Sequence, residues 1–172
     1  MEKIQAHILG EIISSNTAEA YSLYKKSSFG EPVGDKIQYS LSEALFLVEK
    51  GKMEIFSRNK KIPKKELINK FRKIDKKIQI KYLVFKNLRE RGYIVKTALK
   101  FGAEFRVYDK GAKPGKKHAK WIVFTDHESK RLTWHEFSAK NRIAHSTKKN
   151  LLLAIVDEEG DISYYEVKWI KP

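Results

Sequence analysis

Two capping boxes limit what this chain can fold into. In Ser40-Leu-Ser-Glu43 and Thr133-Trp-His-Glu136, a hydroxyl residue precedes a glutamate at the spacing that satisfies the free amides of a helix start from both sides. Each box therefore fixes a helix N-terminus. Behind the first, Ala44, Leu45, Leu47 and Val48 recur at helical spacing until Gly51 stops the run, and behind the second the helix extends toward His145. Short apolar runs of strand length flank both helices. Helices and strands interleaved in this way must pack as layers, which places the chain in the α/β (α+β) class.

Residues 4–13 read as a strand pair or one bent strand, 18–24 as a short helix, and 53–56 as a strand. Pro63 opens another helix through Leu67, Ile68 and Phe71, since proline is favoured in the first turn. Residues 72–77 are rich in lysine and suit an exposed junction and a solvated helix face equally well. Beyond them, Ile80, Leu83, Val84 and Leu88 mark one face of a helix ending at Gly92. Strands follow at 93–98 and 103–108, then the loop DKGAKPGKKH, a strand at 119–124, the Thr133 helix, and last strands at 151–156 and 162–170. This change of texture predicts two domains, 1–75 and 76–172, the second ordered helix–strand–strand–strand–helix–strand–strand.

Charge narrows the partner. The 36 lysines and arginines stand against 21 acidic residues, a net +15, while an apolar share of 41% and twenty aromatic residues exclude a disordered basic tail. A folded chain of this charge points to a polyanion, nucleic acid foremost. No run approaches the ~18 apolar residues of a membrane span, and the opening MEKIQAHILG has no signal-peptide core. With no cysteine, disulfides, thiolate zinc sites and cysteine nucleophiles are excluded. The expectation is a cytoplasmic protein with no membrane partner.

One segment runs against the basic charge: Asp157, Glu158, Glu159 and Asp161 surround Gly160 between two strand-like runs. The residues alone allow a plain turn, a protein contact complementary to the chain's own basic surface, and a metal loop, although the segment is short for the last.

Among the five histidines there is no H-E-x-x-H and no tightly spaced metal pair. His118 ends the basic loop beside Lys113, Lys116, Lys117 and Lys120, where phosphate would be attracted. His145 falls at a helix C-terminus, where a cationic cap is commonplace. Tyr108 closes the strand FRVY, and Lys149 precedes LLLAIV. Taken singly, these residues also read as a surface histidine, a packing tyrosine and a strand-edge lysine. Neither composition nor spacing unites these three, but a tyrosine, a histidine and a lysine brought together could serve metal-free RNA cleavage by the 2′-OH, which needs a base, an acid and a cation for the developing phosphorane charge. Tyrosine is the hardest to place, because a free phenol ionises only near pH ~10.

The segments KYLVFKNLRERGYIVKTALKFGAEFRVYDKG and RIAHSTKKNLLLAIVDEEGD, with the ending YYEVKWIKP, closely resemble the archaeal tRNA-intron (splicing) endonuclease family. The resemblance spans residues 80–172 in order; the N-terminal half matches more loosely, best at SLSEALFLVEKGKMEI. It implies a small N-terminal mixed α/β domain for assembly and a C-terminal catalytic domain with a nuclease-like mixed sheet flanked by helices. It also implies cutting of precursor tRNA at the intron boundaries in a bulge–helix–bulge, without metal or cofactor, to give 2′,3′-cyclic phosphate and 5′-hydroxyl ends. By position, Tyr108 matches the family's general base, His118 its general acid and Lys149 its transition-state stabiliser, with Lys149 favoured over Lys148 by alignment on AHS and LLLAIV. Arg142 matches an arginine that stacks on a flipped bulge base, and Tyr164 and Trp169 fall near the other half of that clamp. Asp157, Glu158, Glu159 and Asp161 match an acidic loop that docks on an opposing subunit. Self-association as a homotetramer or a two-plus-two heterotetramer with a homologous structural subunit is implied, and the length is short for a fused-repeat form.

Two competing readings remain. Glu166-Val-Lys168 has the spacing of a metal-dependent nuclease, with Asp157 or Asp161 as the further carboxylate. A non-catalytic RNA-binding or structural subunit of the same assembly is the other.

Overall fold

A computed structural model describes residues 2–172. The chain divides into two compact units, Met1–Tyr82 and Leu83–Pro172, each built on its own mixed sheet.

The first unit runs β1 (Ile4–Leu9), β2 (Ile12–Ser15), α1 (Ala18–Ser27), β3 (Glu31–Val33), β4 (Lys36–Tyr39), α2 (Leu41–Glu49), β5 (Met53–Ser57), β6 (Lys60–Lys61) and α3 (Lys64–Ile74). Its six strands lie in the order β3-β4-β2-β1-β5-β6, with β1 antiparallel to β2 and parallel to β5. Side chains alternate across a strand, and β1 shows it: Ile4, Ala6 and Ile8 are buried while Gln5, His7 and Leu9 are exposed. One face carries the core, with Ile13, Ile37, Leu47, Ile55, Leu67 and Phe71 fully buried in the unit.

The first capping box forms as expected and does more than cap. Glu43 Oε2 accepts from the Ser40 amide at 3.1 Å, while its buried Oε1 accepts from the Gly30 amide at 2.9 Å. Gly30 has a φ of +72°, and a Cβ there would collide with the Ile37 side chain and sit 2.9 Å from Tyr39 Cε1, so only glycine fits. Burial, with the Glu43 carboxylate beside it, pushes the Tyr39 phenol well above the ordinary tyrosine range. Sequence reading did not expect the β3–β4 hairpin or β6. Pro63 is extended (ψ 150°) and caps α3 from outside, so Lys64 is the first helical residue.

The second unit contains most of α4 (Ile78–Glu90), then β7 (Ile94–Ala98), a 3-10 turn (Leu99–Phe101), β8 (Ala103–Tyr108), β9 (Trp121–His127), α5 (Trp134–Ser146), β10 (Asn150–Val156) and β11 (Ile162–Val167). The sheet order is β11-β10-β9-β8-β7. β9 and β10 are parallel, with α5 as the crossover, and the other neighbours are antiparallel. Ala144 of α5 joins Ala98, Ala103, Ile122, Phe124 and Leu151 in one core cluster.

Three boundaries differ from the sequence reading. On α4 the buried positions are Ile78, Val84, Phe85 and Leu88, with Leu83 exposed. The Phe85 ring, 5.9 Å from Phe105, sets the inner face, and a residue two places away points roughly 200° around the helix. β9 starts at Trp121, because Ala119 packs with Tyr108 instead of joining the sheet. β11 ends at Val167, opposite Leu151 near the start of β10, which leaves Trp169 and Ile170 exposed. Among the described residues no helix is long and apolar enough to cross a membrane.

Candidate active site

The second sheet brings three strand ends to one edge. β8 ends at Tyr108 where antiparallel β9 begins, Val107 facing Trp121, and parallel β10 begins at that edge too, Asn150 facing Trp121. The Lys120 backbone links all three: its amide donates to the Val107 carbonyl at 2.8 Å, and its carbonyl accepts from the Asn150 amide at 3.0 Å. Residues at these strand ends or a few places beyond them are therefore neighbours, whatever their separation in sequence.

Tyr108, His118 and Lys149 occupy those positions and line one cleft of about 240 Å³, together with Phe101, Arg106, Lys116 and Lys117. Tyr108 is buried, its ring packed with Ile94, Ala112 and Ala119. The loop after it is shaped by turns: the Ala112 amide donates to Asp109 and the Lys116 and Lys117 amides to Lys113, with Gly111 and Gly115 at positive φ. Two alanines of this loop fold back on the tyrosine, and His118 is left exposed at the rim.

Lys149 follows α5 through a sharp reversal. Lys148 has a φ of +55° and is exposed; Lys149 turns inward, its amide donating to the Ala144 carbonyl at 2.9 Å and its Nζ to the Thr147 carbonyl at 2.7 Å. The ammonium also lies 5.7 Å from the centre of the Phe101 ring. Partial burial, reinforced by the Arg106 guanidinium, holds its pKa below the ordinary lysine value. Arg106 was not singled out from sequence. Strand period would have found it, since a residue two places before Tyr108 points to the same face. Chemically, the cleft offers a phenol, an imidazole and several cations, with no carboxylate among its lining residues.

Arg142 is exposed on α5 and is not among the residues lining this cleft. One turn further along, the His145 ring lies 4.8 Å from that of Trp169, which is exposed. Tyr164 is held elsewhere: its hydroxyl donates to Asn87 Oδ1 at 2.9 Å, and burial pushes its pKa up to about 12. Asp157, Glu158, Glu159 and Asp161 form the β10–β11 turn at the opposite end of the sheet. Asp157 Oδ1 accepts from the Asp161 amide at 2.8 Å, and Glu158 lies 3.8 Å from His127 Nε2.

Glu166 is engaged in structure, accepting from Trp121 Nε1 at 2.7 Å and Asn150 Nδ2 at 3.1 Å, with Lys168 at 3.1 Å. Among the described residues no group of three histidines or carboxylates is arranged to hold a metal ion.

Comparison with known proteins adds two domain matches. Residues 78–164 match the model for the tRNA intron endonuclease catalytic C-terminal domain, and residues 4–68 that for the tRNA intron endonuclease N-terminal domain. A tRNA-splicing endonuclease from Pyrococcus horikoshii is 41% identical over 98% of this chain and 97% of its own length. The tRNA-splicing endonuclease of Methanothermobacter thermautotrophicus is 37% identical over 99% of each. That of Nanoarchaeum equitans is 42% identical over 81% of this chain and 93% of its own length.

Proposed function

The chain belongs to the tRNA intron endonuclease family, and on that premise we propose that it is a catalytic subunit that cuts precursor tRNA at intron boundaries without a metal ion. The observation that carries the reading is the single cleft shared by Tyr108, His118 and Lys149.

In the proposed reaction Tyr108 takes the proton from the 2′-OH beside the scissile phosphate. The 2′ oxygen attacks phosphorus, forming the new P–O bond, and the bond to the 5′ oxygen breaks. That oxygen leaves with a proton from His118. The ends are a 2′,3′-cyclic phosphate and a 5′-hydroxyl, and no redox partner is needed. Lys149 stabilises the negative charge that builds on the non-bridging oxygens. A partly desolvated ammonium suits this role, since charge interacts more strongly away from bulk water. The structural use of Glu166 favours this reading over a two-carboxylate metal nuclease.

Recognition follows from the same chemistry: phosphate contacts from the basic surface give affinity, and RNA shape sets the cutting position. Arg142 stacks on a bulge base through its planar cation, supported by its exposure on α5. The acidic turn, Asp157 to Asp161 around Gly160, docks on an opposing subunit of a homotetramer or two-plus-two assembly, with residues 1–75 serving assembly and 76–172 catalysis. Its exposed tip supports that role.

The test is cleavage of a bulge–helix–bulge RNA by the purified chain in excess EDTA, with both new ends identified. The expected result is cyclic phosphate and 5′-hydroxyl ends, lost in His118→Ala while RNA binding persists. Cleavage unchanged in His118→Ala would remove the acid role. Activity abolished by EDTA would remove the metal-free mechanism.

A further inference from the structure

We propose that the open face of the N-terminal sheet is a second RNA-contacting surface, which stacks the bases of a single-stranded segment on His7 and Phe56 and holds its phosphates with Lys36 and Arg58. These four side chains line a groove of about 530 Å³ on the face turned away from the core, with Leu9 and Ile12 among the apolar residues, Ile8 and Val33 included, that form its floor. Leu9 is 83% exposed and Ile12 53%.

His7 and Phe56 face each other across the parallel β1–β5 pair, their ring centres 5.8 Å apart and tilted by 33°. His7 is exposed and Phe56 half-buried. Aromatic rings on a sheet face, bordered by cations, hold single-stranded nucleic acid without sequence preference, because every base has a flat face to stack and the backbone follows positive charge. No acidic side chain lines the groove. Glu54, which shares a strand and a face with Phe56, is neutralised by Lys3 at 3.1 Å and Lys61 at 2.8 Å.

Arg58 strengthens the assignment. With Asn59 it forms the two-residue turn between β5 and β6, and both have positive φ, 48° and 63°. That geometry favours Asn-Gly, so Asn59 fits it and arginine does not. The chain places a strained residue where glycine would be easier, and the gain is a guanidinium at the rim of the groove. Charge and aromatic content together favour RNA here over a protein partner, which would meet two unpaired cations.

The surface needs none of the cleavage chemistry, so failure of the proposed reaction would leave it standing. The test uses the full chain and a 5-iodouridine-bearing single-stranded RNA of about twelve nucleotides, a length suited to such surfaces. Photocrosslinked peptides are mapped, and affinity is measured by fluorescence anisotropy for the parent, Phe56→Leu and Arg58→Gly. The expected result is crosslinking within residues 7–12 or 53–58 and affinity weakened about five- to tenfold in each variant. Arg58→Gly should unfold no earlier than the parent, since glycine suits that turn, so its loss of affinity cannot come from misfolding. Crosslinks confined to residues 106–118 and 142–149, with unchanged affinity in Arg58→Gly, would overturn the proposal. So would a Leu9→Lys variant that changes solution mass while binding RNA as before, because the face would then be a protein contact.

Discussion

The Lys149 ammonium donates to the carbonyl oxygen of Thr147 at 2.7 Å, a bond between near neighbours that the left-handed turn at Lys148 makes possible. The backbone, and no carboxylate, orients this cation. Its charge thus stays available to a phosphate. Lys149→Ala should slow single-turnover RNA cleavage about 100- to 1000-fold, in the range for removing one group that stabilises transition-state charge, with little change in RNA affinity. An equal loss in affinity and rate would instead identify a ground-state contact.

The pH dependence should carry the signature of that site. Partial burial and the Arg106 guanidinium disfavour the charged form of Lys149, so it releases its proton at a lower pH than a free lysine. The alkaline limb of the rate profile should therefore fall below the usual lysine range. Arg106→Gln should shift that limb upward. The sign for stability is opposite to that of a salt-bridged lysine: the charged form strains the fold at neutral pH, and the strain is relieved as pH rises through the lowered pKa. Rate profiles for parent and variant check the position and shift of the limb, and chemical denaturation across the alkaline range checks the sign for stability.

Arg142 is exposed and is expected to act through its flat guanidinium. Arg142→Lys keeps the charge and loses the stacking plane, so cleavage of a bulge–helix–bulge RNA should fall about tenfold at limiting RNA concentration. A variant indistinguishable from the parent would leave Arg142 as a solvated helix residue.

Glu43 should matter for folding alone. Its buried carboxylate accepts from the Gly30 amide, the Ser40 amide and the Ser40 hydroxyl. Glu43→Ala removes a cap and the buried bond from the Gly30 amide, a loss on the order of 3 kcal/mol seen in chemical denaturation. The same variant removes one of the two influences that raise the Tyr39 phenol, so tyrosine absorbance at high pH gives a second readout.

The acidic turn offers a test of assembly. Replacing Glu158 and Glu159 with glutamine removes two exposed charges at the tip of the β10–β11 hairpin, with the Asp157–Asp161 turn bond intact. Solution mass by light scattering should drop relative to the parent. An unchanged mass would return the segment to an ordinary turn.

The parts of this fold visible in sequence are those fixed by local chemistry. Ser40 and Glu43, like Thr133 and Glu136, carry their own hydrogen-bond partners, and the caps form where the spacing puts them. The β3–β4 hairpin was missed because β3 is exposed throughout, which leaves no alternation to read; its place depends on β2. Leu83 and Phe85 exchanged roles because periodicity gives a face but not which neighbour fixes its centre, and here Phe105 does. The cleft lay further from view. Tyr108, His118 and Lys149 come from a strand end, a loop and the exit of a helix, and no spacing rule unites them. Resemblance selected them, and the order β8-β9-β10 explains how they meet.

β10 is seven residues long, so its two ends lie about 20 Å apart. Lys149 stands just before its first residue and the acidic turn just after its last. One rigid strand thus separates the place where RNA would be broken from the place where another chain would be met. On the proposed reading, mutations at the turn would change the choice of companion and leave the chemical end untouched, so lineages could change how such chains associate while inheriting one unaltered cutting edge.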